Sequence, residues 1–419
     1  MNRNRRLLLG ASLAGASLAV TGCASVPGRQ PVARVVVIGG GYGGATAAKY
    51  IRQWEPRIEV TLVERNEVFI SCPISNLVLG GVKNLGDITV PYSGLARHGV
   101  KVVRDEATAI DLERKQVRLA RGDALPYDRL IVAPGIDFDT APGLAAAQAN
   151  GQALHAWKAG PQTVALRRQL EALPDGGVFA ISIPKAPYRC PPGPYERASV
   201  VADYFRKAKP RSRVLILDAN PDITSKKGLF LSAWNELYKG IIEYRPNSEL
   251  VEFDASRNVA VLQVEDVKAD LFNIIPPQKA GTIARPFVSV NDRWVGVDYR
   301  TFESDKVSGV HVIGDATASA PGMPKSGFMA NNHAKVAADS VIALLTGKPV
   351  NESPILTNTC YSFVSHTAAM HVASVHKWDA GQKTVVPVQG AGGLSKTHTE
   401  LEGKYALSWA RNIWADSLG

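Results

Sequence analysis

Residues 33–44 read ARVVVIGGGYGG, a β-branched run from Ala33 to Ile38 that leads directly into the glycines at 39–44. The run has strand composition. The stretch ATAAKYIRQWE behind the glycines reads as a helix stopped by Pro56. Ile58–Val63, IEVTLV, is the next strand and ends at Glu64. Strand, glycine turn, helix and second strand with a terminal acid form the opening βαβ unit of a dinucleotide-binding sheet. Gly39, Gly41 and Gly44 occupy the three glycine positions of GxGxxG. The first allows a tight turn, the second lets the backbone approach a pyrophosphate, and the third lets helix and strand touch. The phosphates then sit at the helix N-terminus. Glu64, with Arg65 beside it, is placed to accept hydrogen bonds from an adenosine ribose. A mere glycine-rich turn is the competing reading, and it leaves the two strands and the acid unexplained.

Further along, Val100–Val103 and Val117–Leu119 suggest short strands leading to YDRLIVAPG at 127–135. Much later, GVHVIGDA at 309–316 is a strand ending in Gly314 and Asp315, ahead of a helix predicted over Asn332–Leu345. That position lets Asp315 meet the ribityl chain of a flavin. The first domain is therefore discontinuous, 32–150 plus 284–350. Between its halves lies a second α/β unit over 151–283. Gly177–Ile183 and Arg213–Leu217 are its predicted strands, with a helix over Tyr195–Lys207 between them. The turn after the first of those strands is PKAPYRCPPGP, 184–194. Proline has no N–H to offer a phosphate, so this turn is a poor pyrophosphate cradle. The expectation is a vestigial nucleotide site and no NAD(P). The last section, 351–419, combines strand-like patches, a glycine-rich loop at Gly390–Gly393 and a helix around Tyr405–Trp414, and reads as a small interface domain.

The chain has 419 residues, 45% hydrophobic and 21% charged, enough for two or three domains with buried cores. That composition excludes a disordered, collagen-like or disulfide-knotted chain. Residues 1–23, MNRNRRLLLGASLAGASLAVTGC, place an apolar run from Leu7 to Val20 behind a basic head. The run is shorter than the about 20 residues of a membrane span and reads as an export signal. Arg5-Arg6 ahead of three leucines resembles a twin-arginine signal, the route for proteins exported already folded with their cofactor. Val20–Cys23 reads either as a lipoprotein box, leaving Cys23 as a lipid anchor, or as the approach to ordinary cleavage. Both place the protein in the periplasm, where disulfides persist. Losing Arg3, Arg5 and Arg6 lowers the formal net charge from +10 to +7, which suits an anionic substrate or acidic partner. The basic residues are scattered, so no nucleic-acid footprint exists.

Cys23, Cys72, Cys190 and Cys360 are the only cysteines. Their spacing matches no metal site and no c-type haem attachment, so the expectation is no metal and no haem on this chain. Without Cys23, three remain. One pair plus one cysteine bonded to something other than sulfur settles that odd count. Cys72, in FISCP, lies where a flavoprotein chain returns toward its cofactor; it is either a thiolate bonded to the flavin ring or a buried free thiol. Cys190 and Cys360 either form a structural disulfide, stabilising by roughly 5 kcal/mol, or an electron entry point facing the flavin where a nicotinamide would otherwise lie.

With these residues in view, the sequence resembles the flavoprotein subunit of flavocytochrome c sulfide dehydrogenase, a relative of sulfide:quinone reductase and glutathione reductase. The likeness covers nearly the whole mature chain. It is carried by GGGYGGATAAKYI from Gly39, CPISN from Cys72, HAWKAG from His155, YRCPPGPYERAS from Tyr188 and IIPPQ from Ile274. TFES from Thr301, HVIGDA from His311, MPKSG from Met323, NTCYS from Asn358 and SWARNI from Ser408 complete it. RCPPGPYE and MPKSG discriminate far better than the glycine motif. The resemblance implies an α/β fold with tandem Rossmann-like FAD/NAD(P)-binding domains of glutathione reductase type plus a small α+β C-terminal domain.

It further implies FAD held by Cys72 through a thioether, and a redox-active Cys190–Cys360 disulfide that hydrosulfide attacks, leaving a persulfide on Cys190 and a thiolate on Cys360. Electrons leave for a c-type cytochrome subunit that carries the haem, and a sulfur acceptor removes the product. Proline at 73 departs from the tyrosine that family members carry there. Glu196 is a proton carrier near Cys190 or simply a carboxylate at a helix N-terminus. Lys325 favours an anionic reduced flavin or attracts hydrosulfide, or is a solvated surface lysine. Trp409 closes the flavin pocket or serves a core or interface. His155, His311 and His333 are read as structural. A sulfide:quinone reductase is the alternative enzyme, and an NAD(P)H-dependent disulfide reductase or a flavin-free scaffold are remoter ones.

Overall fold

The computed structural model describes residues 32–419; the expected export signal and Cys23 lie outside the described residues. Strand β1, Ala33–Ile38, runs parallel to β2, Ile58–Val63, and helix α1, Tyr42–Trp54, crosses between them. Both strands are buried at every position but the second, as a parallel sheet covered on both faces requires. The sheet has seven strands. Beyond β2 it adds Lys101–Val103; on the other side of β1 it adds Arg129–Val132 and then Val310–Val312, all parallel. A residue near 312 thus sits beside one near 132, so the sheet is completed only after the chain returns from an excursion of more than 150 residues. Helix Gly327–Thr346, longer at both ends than the sequence predicts, packs against α1.

That excursion contains a second sheet of five strands, all parallel. Its order is Ala153–Leu154, Leu271–Ile274, Val178–Ile183, Arg213–Asp218, Ile242–Arg245. Helix Gly193–Ala208 connects the third and fourth of these, beginning two residues earlier than the helix read from sequence. The chain closes with an antiparallel meander, Ile355–Phe363, Ala369–Asp379 and Thr384–Leu394, followed by helix Glu400–Leu418. The architecture is Rossmann-like α/β with two dinucleotide-binding-type sheets and a separate C-terminal α+β subdomain, as expected.

One local reading is corrected. Gly390–Gly393 is not a loop but part of the last strand. Gly392 has φ +101°, and a Cβ there would lie 2.3 Å from the Ala373 carbonyl oxygen, so its glycine serves close strand pairing at a register shift. No helix among the described residues is long and apolar enough to cross a membrane.

Candidate active site

A cavity of about 1610 Å³ runs from the glycine turn to the C-terminal meander. It exceeds the about 300–1,000 Å³ of ordinary small-ligand pockets. The three glycines at its head differ in what they do. Gly39 has φ +95°, and a Cβ there would come within 2.4 Å of the Ala133 carbonyl oxygen, so turn geometry and the neighbouring strand both demand glycine. At Gly44 a Cβ would lie 1.8 Å from the Gly39 carbonyl oxygen, which makes this the helix-to-turn contact. Gly41, the N-cap of α1, has nothing of the protein within 4 Å of an added Cβ. The protein's own packing does not exclude a side chain there, and the space is a cradle that a ligand's phosphates fit.

Glu64 lines the cavity, but its carboxylate is already committed. One oxygen accepts from the Gly40 amide at 2.7 Å, the other from the Asn66 amide at 2.7 Å and its Nδ2 at 2.6 Å. It braces the glycine turn. Arg65, also on the cavity wall, pairs with Glu106 at 3.0 Å. Gly314 and Asp315 form a short turn beyond the Val310–Val312 strand. Asp315 Oδ1 is buried and has no hydrogen-bond partner, while facing the cavity. Burial pushes its carboxyl up, against the pull of Arg189 and Lys325. An orphaned acceptor, an open glycine cradle and a long cavity between them fit an FAD. When bound there, FAD accepts an electron pair from one substrate and passes electrons to another.

The far end of the cavity holds sulfur. Cys72, Cys190 and Cys360 all line it, each half-buried and each a free thiol. Cys72 Sγ donates to the Trp157 carbonyl oxygen at 3.7 Å. Cys190 has a left-handed backbone, φ 57°, held by its N–H donating to the Lys325 carbonyl at 2.8 Å. Gly193 makes room for its sulfur, since a Cβ there would lie 2.8 Å from Cys190 Sγ. Cys360 comes from the first strand of the meander, and its Sγ lies 3.4 Å from Asn358 Nδ2. Burial pushes both the Cys190 and Cys360 thiols up; nearby Lys226 opposes this in each case. The expected Cys190–Cys360 disulfide is therefore corrected: the two residues do meet at one cavity, but as free thiols.

Glu196 lies against this end with its carboxylate bridging two segments. Oε1 accepts from the Phe363 amide at 2.9 Å and Oε2 from Asn76 Nδ2 at 2.9 Å. Burial raises its carboxyl. Lys325 is neither solvated nor aimed at the cavity. Its side chain is 5% exposed, its ammonium donates to the Asp315 and Thr317 carbonyls, and it rests 3.7 Å from the Trp294 ring centre. Burial lowers it to about 7. Its lining neighbours are Ser326, whose hydroxyl donates to Asn358 Oδ1 at 2.6 Å, and Gly327, so the MPKSG turn reaches the site without the lysine side chain.

The structure supplies residues that sequence reading missed. Arg197 is 2% exposed and binds Asn76, Asn273 and the carbonyls of His155 and Ala156 at 2.8–3.0 Å. It locks the strand ends of the second sheet to the cavity wall, and it follows Glu196 directly in RCPPGPYER. The three histidines read as structural do have inward partners: His155 Nδ1 accepts from the Trp157 amide, His311 meets Thr301 and Arg129, and His333 Nδ1 accepts from Gly314. A second cavity of about 490 Å³ shares Phe328, Tyr361 and Trp409 with the first. Trp409 stands 6.1 Å, ring centre to ring centre, from each of the other two.

Comparison with known proteins adds the class. Residues 33–170 match the family described as pyridine nucleotide-disulphide oxidoreductase. Residues 163–276 match sulfide dehydrogenase (flavocytochrome c) flavoprotein chain, central, and 352–418 match flavocytochrome c sulphide dehydrogenase, flavin-binding. The chain is 25% identical over 307 residues to the mitochondrial sulfide:quinone oxidoreductase of Mus musculus, covering 68% of this chain and 65% of that protein. It is 60% identical over 45 residues, 11% of this chain and 94% of the other, to a sulfide dehydrogenase flavoprotein chain of Chlorobaculum thiosulfatiphilum. The solved sulfide:quinone oxidoreductase of Aquifex aeolicus superposes with a TM-score of 0.75 at 17% identity, covering 92% of this chain and 91% of that one. A water-forming NADH oxidase of Lactobacillus brevis, solved with NADH, gives 0.60 at 15% identity over 91% and 90%.

Fold, cavity and matched families define a flavoprotein with FAD-binding domains, of the superfamily that holds glutathione reductase and sulfide:quinone reductase. The protein is an FAD/NAD(P)-dependent oxidoreductase. Two further expectations are corrected here. The reaction through a disulfide to a c-type cytochrome subunit gives way, because the thiols are free and the long curated match is to a quinone-linked enzyme. The exclusion of NAD(P) gives way too: structures of this fold are solved with NADH, and a proline-rich turn is too local a feature to exclude the nucleotide.

Proposed function

We propose that the protein is a sulfide:quinone reductase-type flavoenzyme. The observation that carries this is the arrival of Cys190 and Cys360, from opposite parts of the chain, at one end of the cavity whose other end is the glycine turn. Matches of 163–276 and 352–418 to sulfide dehydrogenase families support sulfide as donor, and the mitochondrial relative supports a quinone as acceptor. The net reaction oxidises hydrosulfide to zero-valent sulfur, releasing two electrons and one proton, and reduces quinone to quinol with two electrons and two protons.

In this reading Cys190 takes up the incoming hydrosulfide sulfur in a two-electron oxidation: the thiol S–H breaks, an S–S bond forms to leave a persulfide, one proton is released, and the electron pair would pass to the FAD held in the cavity. Glu196, raised by burial, receives the released proton. Gly39, Gly41 and Gly44 shape the pyrophosphate cradle, Glu64 and Arg65 border the adenosine end, and Gly314 with Asp315 offers an acceptor to the flavin's polyol. Lys325 holds Cys190 in place through its carbonyl. The aromatic wall of Phe328, Tyr361 and Trp409 gives the quinone ring a surface to stack on. We propose 32–150 with 284–350 as the flavin unit, 151–283 as the unit carrying Cys190 and 351–419 as the unit carrying Cys360. The Arg5-Arg6 segment supports export to the periplasm.

The test is anaerobic addition of sulfide to the flavin-loaded enzyme. Cys190→Ser and Cys360→Ser should each keep full flavin content while flavin reduction slows by at least about a hundredfold, a barrier increase of about 2.7 kcal/mol. Reduction at the wild-type rate in both variants would overturn the role of the thiols.

A further inference from the structure

We propose that Lys226 is a positioning residue for Cys360, its buried ammonium favouring ionisation of that sulfur when the thiol reacts at the cavity wall. The proposal rests on the reading above that the cavity thiols react. Lys226 is 5% exposed and sits at the N-cap of helix Lys227–Leu237, in the left-handed region at φ 57°. A side chain with a Cβ rarely occupies that region without a compensating reason. Its Nζ donates to the Cys360 carbonyl at 2.8 Å and to Ser362 Oγ at 2.8 Å, so it reaches the strand on both sides of residue 361.

Among the described residues Lys226 makes no ion pair. A buried ammonium surrounded only by neutral oxygens is costly unless an anion lies close. The anions that face it are few. Glu196, from helix Gly193–Ala208, spends its two oxygens on Phe363 and Asn76. Glu402, from the C-terminal helix, is taken by His371 at 2.8 Å. The remaining candidates are the sulfurs of Cys360 and Cys190. The Asn358 amide lies against Cys360 Sγ, its Nδ2 at 3.4 Å and its Oδ1 at 3.5 Å, so the thiol can donate to the oxygen and an ionised sulfur can accept from the nitrogen. Burial prevails at Cys360 and keeps its thiol raised, and Lys226 is the strongest group opposing it. Lys226 pulls the Cys360 thiol down against burial and Glu196, while burial lowers Lys226 to about 8 with Cys360 its strongest opposing partner. Arg189 acts on the same cluster through Cys190.

The test measures alkylation of Cys360 by iodoacetamide against pH, in flavin-loaded protein carrying Cys72→Ser and Cys190→Ser, with modification read by peptide mass. Lys226→Met should raise the apparent thiol pKa by at least one unit, slowing alkylation on the acid limb about tenfold. Lys226→Arg, which keeps the charge, should restore the wild-type profile. Lys226→Gln, which keeps a donor for the Cys360 carbonyl and loses the charge, carries the test if the methionine variant does not fold. A reactive Cys360 whose profile is the same with and without the charge would overturn the proposal alone. A Cys360 inert across the whole pH range in otherwise wild-type protein would overturn both the proposal and the thiol reading beneath it.

Discussion

Gly41 and Gly44 lie three residues apart, and a methyl group added to each would fail for different reasons. At Gly44 the methyl meets the Gly39 carbonyl at 1.8 Å, and backbone on both sides cannot yield. At Gly41 it meets no protein atom within 4 Å. Gly44→Ala should therefore destabilise the fold by about 3 kcal/mol or more. Gly41→Ala should cost less than about 1 kcal/mol of stability yet weaken flavin retention markedly. Denaturant unfolding and flavin absorbance per protein separate the two. Lys325 offers a test through pH. Its folded value, about 7, lies below the ordinary lysine value of 10.5. Between those values the unfolded chain binds more protons, so its contribution makes stability rise with pH across that window. The rise should disappear in Lys325→Met, as read by denaturant unfolding of both proteins from pH 7 to 10.

At the scale of elements, the C-terminal helix, Glu400–Leu418, is seated by glycines at both ends. A Cβ at Gly403 would lie 1.8 Å from the Thr367 carbonyl oxygen, and one at Gly94 would lie 2.0 Å from that of Leu418. Gly403→Ala should loosen this helix while leaving the seven-stranded sheet intact. Hydrogen exchange would show the loss of protection confined to 400–418 and the strand it covers. The first βαβ unit was legible from sequence because its signals are local: β-branched strands, a glycine turn and an acid follow one another within 32 residues. The convergence of Cys190 and Cys360 was legible from the odd cysteine count and from the resemblance, but their bonding state was not. Lys226 escaped because the carbonyl it binds is 134 residues away and nothing in SKKG marks it as buried. Lys325 was placed in the right turn with the wrong orientation, since a motif fixes where the backbone passes and not where a long side chain points. Gly390–Gly393 misled for the opposite reason: glycine serves close strand pairing as well as turns.

At the scale of the whole molecule, one cavity joins three parts of the chain. The first sheet supplies the glycine turn and Asp315, the excursion supplies Cys190 and Glu196, and the meander supplies Cys360. The Phe328, Tyr361 and Trp409 wall then separates that cavity from a smaller one beneath the C-terminal helix. The proposed function assigns the sulfur donor to the cavity that Cys190 and Cys360 line and the quinone to the shared aromatic wall. It predicts two half-reactions that can be observed in sequence. The most direct measurement is the anaerobic visible spectrum of the flavin-loaded protein as one equivalent of sulfide and then a soluble quinone are added. The account predicts bleaching of the flavin bands by sulfide and their return on quinone addition, with quinol formed in equal amount. A flavin that sulfide does not bleach, or one that stays reduced in excess quinone, would contradict it.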